Sequence, residues 1–307
     1  MEIIIILALA LLLDLFLGEP PNKIHPVVYM GKLISFLKDK LPKSKASGII
    51  LAFIVIALFT LPTFFIFNLK AINYLAYLII SVLILKTTFA IKAMDNYLKP
   101  IEGAVKKKEY EEAKKLLTHV VRRDTKRLNE QQIISASVET IAEGTVDGLI
   151  SPIFYYLLFG IPGAMAYRAV NTLDSMVGYK DEENRLIGYF SAKLDTLANY
   201  IPARITGILT ILSSIIFNLR WKNAFYIMVR DAKGIESYNA GYPMASVAGA
   251  LGVMLEKPNH YKLGIRLRDL EHKDISIALK IMKLNLILFL IIFYIPLTLI
   301  NGLIWLI

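Results

Sequence analysis

Long apolar runs separated by charge-rich stretches make up this chain of 307 residues. The clearest runs lie at 3–17, 49–68, 72–91 and 284–307, and a helix needs about 20 mostly apolar residues to cross a bilayer. No alternation of apolar and polar residues typical of a strand extends over a useful length. The pattern predicts an all-α fold: a multi-pass helical membrane protein in a single membrane domain, with these four runs as spans.

Three further features of the apolar runs affect this prediction. The run 3–17 contains Asp14 but lacks the basic start and the small-residue cleavage site of a signal peptide, so we interpret it as a retained span. The run 149–167 is interrupted by the sequence GIPG, and the run 205–219 has only 15 residues. Each of these two either spans the membrane or is re-entrant; the internal proline and glycines of the first favour a broken helix enclosed by protein.

The polar segments 92–148 and 220–283 are predicted to be folded, mostly helical and cytoplasmic. Asn129 followed three residues later by Gln132 is the pattern of a capping box at a helix start. An apolar stripe follows, and Gly144 is the expected end of that helix.

Lysine and arginine counts orient the chain. Residues 18–48 carry six, and 92–148 and 220–283 carry eleven each, whereas the turn 69–71 carries one. Cytoplasmic loops are enriched in basic residues, so the three basic segments are predicted to be cytoplasmic. Segment 169–204 conflicts with this arrangement, because it has four basic residues against five acidic ones and the charge rule alone places it outside.

Composition excludes several classes of protein. The chain is 56% hydrophobic with a net charge of +10, which in a membrane protein indicates basic cytoplasmic flanks rather than nucleic-acid binding. Cysteine is absent and the four histidines are scattered, so no zinc site, no Fe–S cluster and no haem are expected. No glycine-rich nucleotide-binding loop of the common types occurs.

Two groups of polar residues border the run 149–167. Glu139 and Glu143 are four residues apart on one predicted helix face, and Asp147 follows. These carboxylates are candidates for Mg²⁺ binding or general base catalysis; the alternative is a solvated helix face. After the run come Asn171 and Asp174, which are either part of a site next to the membrane or an interfacial helix cap.

Other candidates lie in three short stretches. "KLDTLANYIPAR" contains Asp195, Asn199 and Arg204 beside a proline. "SYNAGYPMASVAGALG" contains a turn that favours ligand contact, followed by glycines that favour close helix packing. "DLFLGEPPNKIHPV" contains Asp14 and His25 where the first run ends. The turn residues concerned are Ser237, Asn239 and Gly241.

Taken together, these stretches resemble the CobD/CbiB family of cobalamin-biosynthesis membrane proteins, the adenosylcobinamide-phosphate synthases. The resemblance covers nearly the whole chain, in order, and rests on five blocks. They are "DLFLGEPPNKIHPVVYMGKLI" at 14–34, "RRDTKRL" at 122–128, "SVETIAEGTVDGLISPIFYYLLFGIPGAMAYRAVNTLDSMVGYK" at 137–180, "LDTLANYIPARIT" at 194–206 and "SYNAGYPMASVAGALGV" at 237–253. Two positions depart from the family pattern: Gly144 stands where asparagine is usual, and Tyr238 where proline is usual.

The resemblance implies an enzyme of the cytoplasmic (inner) membrane that forms an amide bond. It would join aminopropanol, or its phosphate ester, to the free propionate of adenosylcobyric acid, a corrinoid, with ATP and Mg²⁺, giving cobinamide or its phosphate. The other expected partners are the lipid bilayer and further membrane enzymes of the same pathway.

On this resemblance we assign roles to the polar residues. The catalytic candidates are Glu139, Glu143, Asp147 and Asp174, of which Glu139, Glu143 and Asp174 would hold Mg²⁺. The substrate-binding candidates are Asp14, His25, Arg122, Arg123, Asp124, Arg168, Asn171, Asn199, Arg204, Ser237, Asn239 and Gly241. Arginines would contact phosphate or propionate, and asparagines would orient substrate amides.

Two alternatives compete with this reading. A different membrane enzyme, such as a CDP-alcohol phosphotransferase or a prenyltransferase, needs carboxylate pairs on its spans in patterns that the chain lacks. A corrinoid-binding or transport membrane protein without catalysis is the stronger rival, because broken apolar runs occur in transporters. The absence of an evident internal repeat and the large polar segments favour the enzyme.

Overall fold

The computed structural model describes residues 2–179, 181–235, 237–294 and 296. These residues form two compact units. Among the described residues, the first unit contains the chain up to Ala90 and Ser151–Asn199, and the second contains Ile91–Ile150 and Tyr200–Pro296.

The first unit is helical throughout its described part. Its helices are α1 (Glu2–Leu17), α2 (Pro26–Lys40), α3 (Lys45–Phe65), α4 (Leu69–Ile72), α5 (Tyr74–Lys86), α9 (Ser151–Val177) and α10 (Tyr189–Ala198), with a 3-10 turn at Ile66–Asn68. Side chains of α2, α3 and α9 form its apolar core, among them Met30, Leu51 and Leu173, all fully buried. Burying such side chains contributes about 1.5–3 kcal/mol each, so this three-helix contact fixes the position of α9.

Helix α9 is broken at Gly160. This glycine has φ 65° and ψ −154°, a region of backbone space that side-chain-bearing residues essentially do not enter. Pro162 lies two residues further on and cannot donate a helical hydrogen bond. The expectation of a broken helix in this run is therefore confirmed.

The second unit combines helices with one short hairpin. Its elements are α6 (Ile91–Lys106), α7 (Tyr110–Leu117), α8 (Glu130–Thr145), a π turn at Val146–Ile150, α11 (Tyr200–Ile216), α12 (Trp221–Asp231), α13 (Gly241–Leu251), β1 (Met254–Lys257), β2 (Tyr261–Gly264), α14 (Lys273–Phe289) and a second π turn at Leu290–Tyr294. The strands pair antiparallel, with Leu255 opposite Leu263, and pack on α8 and α13. Two strands alone are marginal in water, so these helices stabilise the hairpin.

Local sequence signals in the second unit gave mixed results. The capping box of Asn129 and Gln132 is present at the start of α8, as predicted. The helix ends at Thr145, one residue after the predicted Gly144, and the π turn follows directly. The sequence analysis also missed the hairpin, whose four-residue strands are too short to show a period.

Close helix packing is confirmed for Gly249 of α13, where a Cβ atom would lie 2.6 Å from the Cα of Ala224 in α12. Gly252 has a different role from the packing expected of it. It ends α13 with φ 68°, in the left-handed conformation typical of a helix C-terminus.

Four helical stretches among the described residues are long and apolar enough to cross a membrane. They are Lys45–Ile72, Tyr74–Lys106, Glu130–Val177 and Lys273–Tyr294, and the pair Tyr189–Ala198 and Tyr200–Ile216, bent by 46°, is a possible fifth. The predicted span 284–307 overlaps the last of the four, but its residues 295 and 297–307 lie outside the described residues. Helix α1, with 16 residues, is shorter than these stretches.

Candidate functional site

Glu139 is the centre of a buried polar cluster in the second unit. Its Oε1 accepts a hydrogen bond from Ser135 Oγ at 2.6 Å, and its Oε2 accepts one from the Tyr261 hydroxyl at 3.0 Å. Arg123 Nη2 lies 3.3 Å from the same Oε2. We call Arg123, Ser135, Glu139 and Tyr261 the arginine–glutamate cluster. The cluster joins α8 to β2 and to the segment before α8. It also gives the buried carboxylate the hydrogen bonds and the counter-charge that it requires.

Tyr261 and Arg123 supply the hydrogen-bond donors that bear on the chemistry of the arginine–glutamate cluster. Burial and the negative charge of Glu139 raise the pKa of Tyr261, with a further contribution from Glu143, so its hydroxyl stays protonated and donates. Arg123 Nε and Nη1 are buried and have no hydrogen-bond partner among the described residues. Because buried donors are nearly always bonded, these two atoms point to an acceptor such as a ligand oxygen or a water.

The remaining candidates on this stretch of the chain are more accessible. Glu143 is exposed although it lies one turn after buried Glu139, so the shared helix face leads from the interior to the surface. Asp147 lies on the π turn, a backbone irregularity often found at functional sites. Arg122 and Asp124 are exposed, and Asp124 Oδ1 accepts from the Lys126 backbone amide at 2.9 Å.

Arg204 forms a second feature of this unit, which we call the arginine–tyrosine stack. Its guanidinium lies 3.5 Å from the ring centre of Tyr200 and 4.3 Å from that of Tyr242. Arg204 Nη1 donates to Asn239 Oδ1 at 3.4 Å, so two predicted residues from separate blocks meet here. Cation–π contacts of this kind hold a guanidinium flat and partly desolvated.

The other two residues of the predicted turn have mainly local roles. Ser237 is exposed and its Oγ accepts from the Ala240 amide at 3.3 Å. Gly241 starts α13 against the backbone of Ala232, where a Cβ atom would lie 2.0 Å from the carbonyl oxygen. Close packing against Ala232 therefore explains why position 241 is a glycine.

In the first unit, α9 and α10 bring together three predicted residues, Arg168, Asn171 and Asn199. We call these three, with Ser151, Tyr167 and Asp195, the amide cluster. Asn199 Oδ1 accepts from Ser151 Oγ at 2.6 Å and from the Tyr167 hydroxyl at 2.8 Å. Asp195 joins the two predicted asparagines, since its carboxylate accepts from Asn199 at 3.1 Å and from Asn171 at 3.5 Å. Arg168 Nη1 extends the amide cluster by donating to Asn171 Oδ1 at 3.3 Å.

Asp174 lies in the last turn of α9, half-buried, with its carboxylate beside Gly178. A Cβ atom at Gly178 would be 2.0 Å from Asp174 Oδ1, so the glycine makes room for this side chain. Because Asn171 and Asp174 both lie inside α9, the alternative that they cap a helix start is wrong.

Asp14 and His25 belong to a chain of charged groups at the end of α1. Buried Lys86 lies 3.0 Å from Asp14 Oδ1 and 3.0 Å from Glu19 Oε1. His25 Nε2 lies 2.8 Å from Glu19 Oε2, while its Nδ1 accepts from the Val27 amide at the start of α2. Burial alone would raise the pKa of Glu19, but the hydrogen bond with His25 and the charge of Lys86 outweigh it and lower that pKa.

The carboxylates do not form a complete metal-binding cage within the described residues, where no group of three or more His, Cys, Asp or Glu side chains is placed to hold a metal ion. Magnesium commonly takes only one or two protein carboxylates together with substrate phosphates. Accessible Glu143 and Asp147 fit that requirement. Both oxygens of Glu139 already accept hydrogen bonds, so it fits less well, and the three-residue site stays a prediction.

Sequence reasoning missed several members of these clusters. Ser135 could have been found, because it is four residues before Glu139 on the same helix face. Asp195 was noted with Asn199 and Arg204 in its block but was assigned no role, although it lies four residues before Asn199. Tyr261 and Lys86 had no signal: one comes from the unpredicted hairpin, and the other ends an apolar run where a basic flank is ordinary.

Comparison with known proteins gives one consistent result. The family model described as "CobD/Cbib protein" matches residues 7–282. A "Probable cobalamin biosynthesis protein CobD" of Methanothermobacter thermautotrophicus is 45% identical over 92% of this chain and 94% of its own length. The "Cobalamin biosynthesis protein CobD" of Dehalococcoides mccartyi is 39% identical over 91% and 92%, and that of Clostridium tetani is 36% identical over 94% and 96%.

No solved structure matches the chain. The family model and the relatives cover all the blocks that hold the arginine–glutamate cluster, the arginine–tyrosine stack and the amide cluster. The chain belongs to the CobD/CbiB family.

Proposed function

We infer that this protein acts in cobalamin biosynthesis as an ATP-dependent amide-forming enzyme of the cytoplasmic membrane. It joins aminopropanol, or its phosphate ester, to the free propionate of adenosylcobyric acid. Family membership supports the pathway and a corrinoid substrate. The observation that carries the reaction type is the arginine–glutamate cluster, where a positioned guanidinium keeps two buried donors for an anionic ligand.

A propionate does not react with an amine until it is activated. In the proposed reaction a carboxylate oxygen of the corrinoid attacks the γ-phosphorus of ATP, which releases ADP and leaves an acyl phosphate. The nitrogen of the amine then attacks the acyl carbon, and inorganic phosphate leaves with the oxygen that linked it. Both steps depend on holding anions in place and on stabilising developing negative charge.

The cluster geometries support a division of roles among the residues. Arg123 is suited to a phosphate or carboxylate oxygen, since Glu139 fixes one edge of its guanidinium and the remaining donors are available. Exposed Glu143 is suited to take the proton from the incoming ammonium. In the first unit, Asn171 is the proposed partner for a substrate amide, whereas Asn199, whose oxygen already accepts two hydrogen bonds, holds the amide cluster together.

Magnesium bound to the ATP phosphates would supply charge neutralisation for phosphoryl transfer. Asp147 is the residue proposed to hold it, since Glu143 is assigned the proton transfer. The π turn that carries Asp147 supports this assignment.

The second candidate function is corrinoid binding or transport without catalysis. The broken helix at Gly160 favours it, because discontinuous helices are common in transporters. Transport alone, however, assigns no role to an accessible carboxylate one turn from a buried arginine–glutamate pair, whereas amide formation uses both.

Incorporation of isotope-labelled aminopropanol or aminopropanol phosphate into the corrinoid separates the two functions. The purified protein would be supplied with adenosylcobyric acid, ATP and Mg²⁺, and the corrinoid product analysed by mass spectrometry. We expect incorporation that requires ATP. Saturable corrinoid binding without any incorporation would favour the transport function and reject the enzyme.

A further inference from the structure

A cavity of about 180 Å³ opens beside the start of α8 in the second unit. Its walls come from α8, from β1 and from the segment 265–270, and they are mostly polar. Ser135, Glu256, Arg266 and Arg268 are among the lining residues. The roles assigned above do not use this cavity, although Ser135 also belongs to the arginine–glutamate cluster.

The volume limits what the cavity can hold. An apolar cavity of about 150 Å³ accommodates benzene, and drug-sized ligands need about 300–1,000 Å³. The cavity therefore suits a molecule of roughly six to ten non-hydrogen atoms. Neither a nucleotide nor a corrinoid fits, so of the proposed substrates only the small amine is of the right size.

Two arginines provide an anion-binding wall. Arg268 is held in place by Asp274, which is fully buried and contacts Nη1 at 2.8 Å and Nη2 at 2.6 Å. Arg266 is paired with Asp269 at 2.7 Å, but its side chain is 58% exposed and that of Asp269 is 63% exposed. Exposed pairs of this kind contribute little to stability, so Arg266 can turn to an anion in the cavity at little cost.

A carboxylate provides the opposite charge. Glu256 lies on β1 and lines the same cavity, and its contacts are long: Gln132 Nε2 is 3.4 Å from Oε1, and Lys262 Nζ is 3.6 Å from Oε2. Contacts at these distances leave it able to accept a short hydrogen bond from an ammonium. The cavity thus presents positive and negative charge to one small ligand.

We propose that this cavity binds a small zwitterion with an ammonium at Glu256 and a phosphate at Arg266 and Arg268. This proposal rests on the proposed function: the cavity is then the subsite of the amine, and it selects aminopropanol phosphate over aminopropanol. Ser135 links the subsite to the arginine–glutamate cluster, because this residue lines the cavity and its Oγ donates to Glu139.

Titration calorimetry of the purified full-length protein, without ATP or corrinoid, tests the proposal. The three probes are aminopropanol phosphate, aminopropanol and inorganic phosphate. We expect aminopropanol phosphate to bind at least tenfold more tightly than either of the others. Arg266→Ala should lower the affinity for aminopropanol phosphate to the value for aminopropanol, and Arg266→Lys should lower it less. Glu256→Gln should lower the affinity for aminopropanol phosphate to the value for inorganic phosphate.

Lys273→Ala is the matched control, since it removes an exposed cation paired with Glu271 that does not line the cavity. Its affinity should equal that of the wild type. Equal affinities of Arg266→Ala and the wild type, or a wild type that does not prefer the phosphate ester, would overturn the proposal. If either of these results came with amide formation, the subsite would be rejected and the proposed function would stand. If the protein bound the phosphate ester selectively but formed no amide, only the proposed function would be rejected.

Discussion

Two glutamates one turn apart on α8 illustrate the account at the scale of single residues. Glu139 is 6% exposed and holds Arg123 and Tyr261, whereas Glu143 is exposed. Their spacing in the sequence suggests the same role for both, because both lie on one helix face. Their surroundings separate them into a positioning residue and a residue able to reach substrate.

Substitution of each glutamate by glutamine tests this separation. Glu143→Gln should lower turnover by about 10²–10⁴-fold, the usual contribution of a general base, and leave the melting temperature in detergent unchanged. Glu139→Gln should lower both, because half-buried Arg123 loses its counter-charge. Glu112→Gln, at an exposed position of α7, is the control. Full turnover in Glu143→Gln would remove Glu143 from the catalytic set.

At the scale of elements, strong local signals predicted their features correctly. The capping box at Asn129 and the break in α9 both follow from residue types that restrict the backbone. The hairpin could not be predicted, since its two short strands depend on packing against α8 and α13. The hairpin carries Tyr261 and Glu256, so part of each proposed site was hidden from sequence analysis for the same reason.

The break in α9 gives a prediction about stability. Gly160→Ala should destabilise the protein by about 1–3 kcal/mol, because alanine must adopt a conformation reserved for glycine. A clash does not contribute, since the nearest atom to an added Cβ is 3.8 Å away.

Gly103→Ala in α6 is the matched control, with nothing within 4 Å of the added atom. There alanine should stabilise the helix by about 0.5–1 kcal/mol. Thermal unfolding in detergent measures both changes, and equal effects at the two positions would refute the strain at Gly160.

The hairpin gives a prediction about pH. Asp231 Oδ2 accepts from the Gly264 amide and from Arg230 Nη2, both at 2.7 Å. Burial alone would raise the pKa of Asp231, but these hydrogen bonds outweigh it and lower that pKa. The ionised carboxylate therefore stabilises the hairpin above the ordinary pKa of about 3.9, and this contribution is lost as the pH falls below it.

Hydrogen exchange of residues 254–264 between pH 6 and pH 3 measures this dependence after correction for the intrinsic rate. Protection should fall as the pH drops below about 4 in the wild type, and should be weaker and nearly independent of pH in Asp231→Asn. The same acid response in both proteins would show that Asp231 does not hold the hairpin.

At the scale of the whole molecule, the sidedness of segment 169–204 decides whether its residues meet cytoplasmic ATP. We predict that it is cytoplasmic, against its charge balance. Glu182→Cys places a single label in this segment, because the chain has no cysteine and residue 182 is exposed. It also spares Asp181, which accepts from the Asn184 amide at 2.9 Å.

A membrane-impermeant thiol reagent should leave Glu182→Cys unlabelled in intact cells and label it after lysis. Ala71→Cys, in the turn predicted to be outside, should react in intact cells, and Glu112→Cys, in a segment predicted to be inside, should not. Reaction of Glu182→Cys in intact cells would place the segment outside.

Much of the whole-molecule picture was accessible from the sequence. The helical membrane fold and the family followed from apolar runs and ordered motif blocks. The grouping of the predicted residues was not accessible: Asp195 joins Asn171 to Asn199, and Arg204 meets Asn239, across 35 positions of the chain. Such contacts arise from helix packing, which single-chain spacing does not determine.

The central claim, ATP-driven amide formation, is tested most directly by following the propionate oxygens. Adenosylcobyric acid with ¹⁸O in its free carboxylate would be incubated with the purified protein, the amine, ATP and Mg²⁺, and the products analysed by mass spectrometry. The account predicts a cobinamide product in which the new amide keeps one ¹⁸O and the released inorganic phosphate carries the other. Absence of the amide, or an amide formed without transfer of ¹⁸O to phosphate, would contradict it.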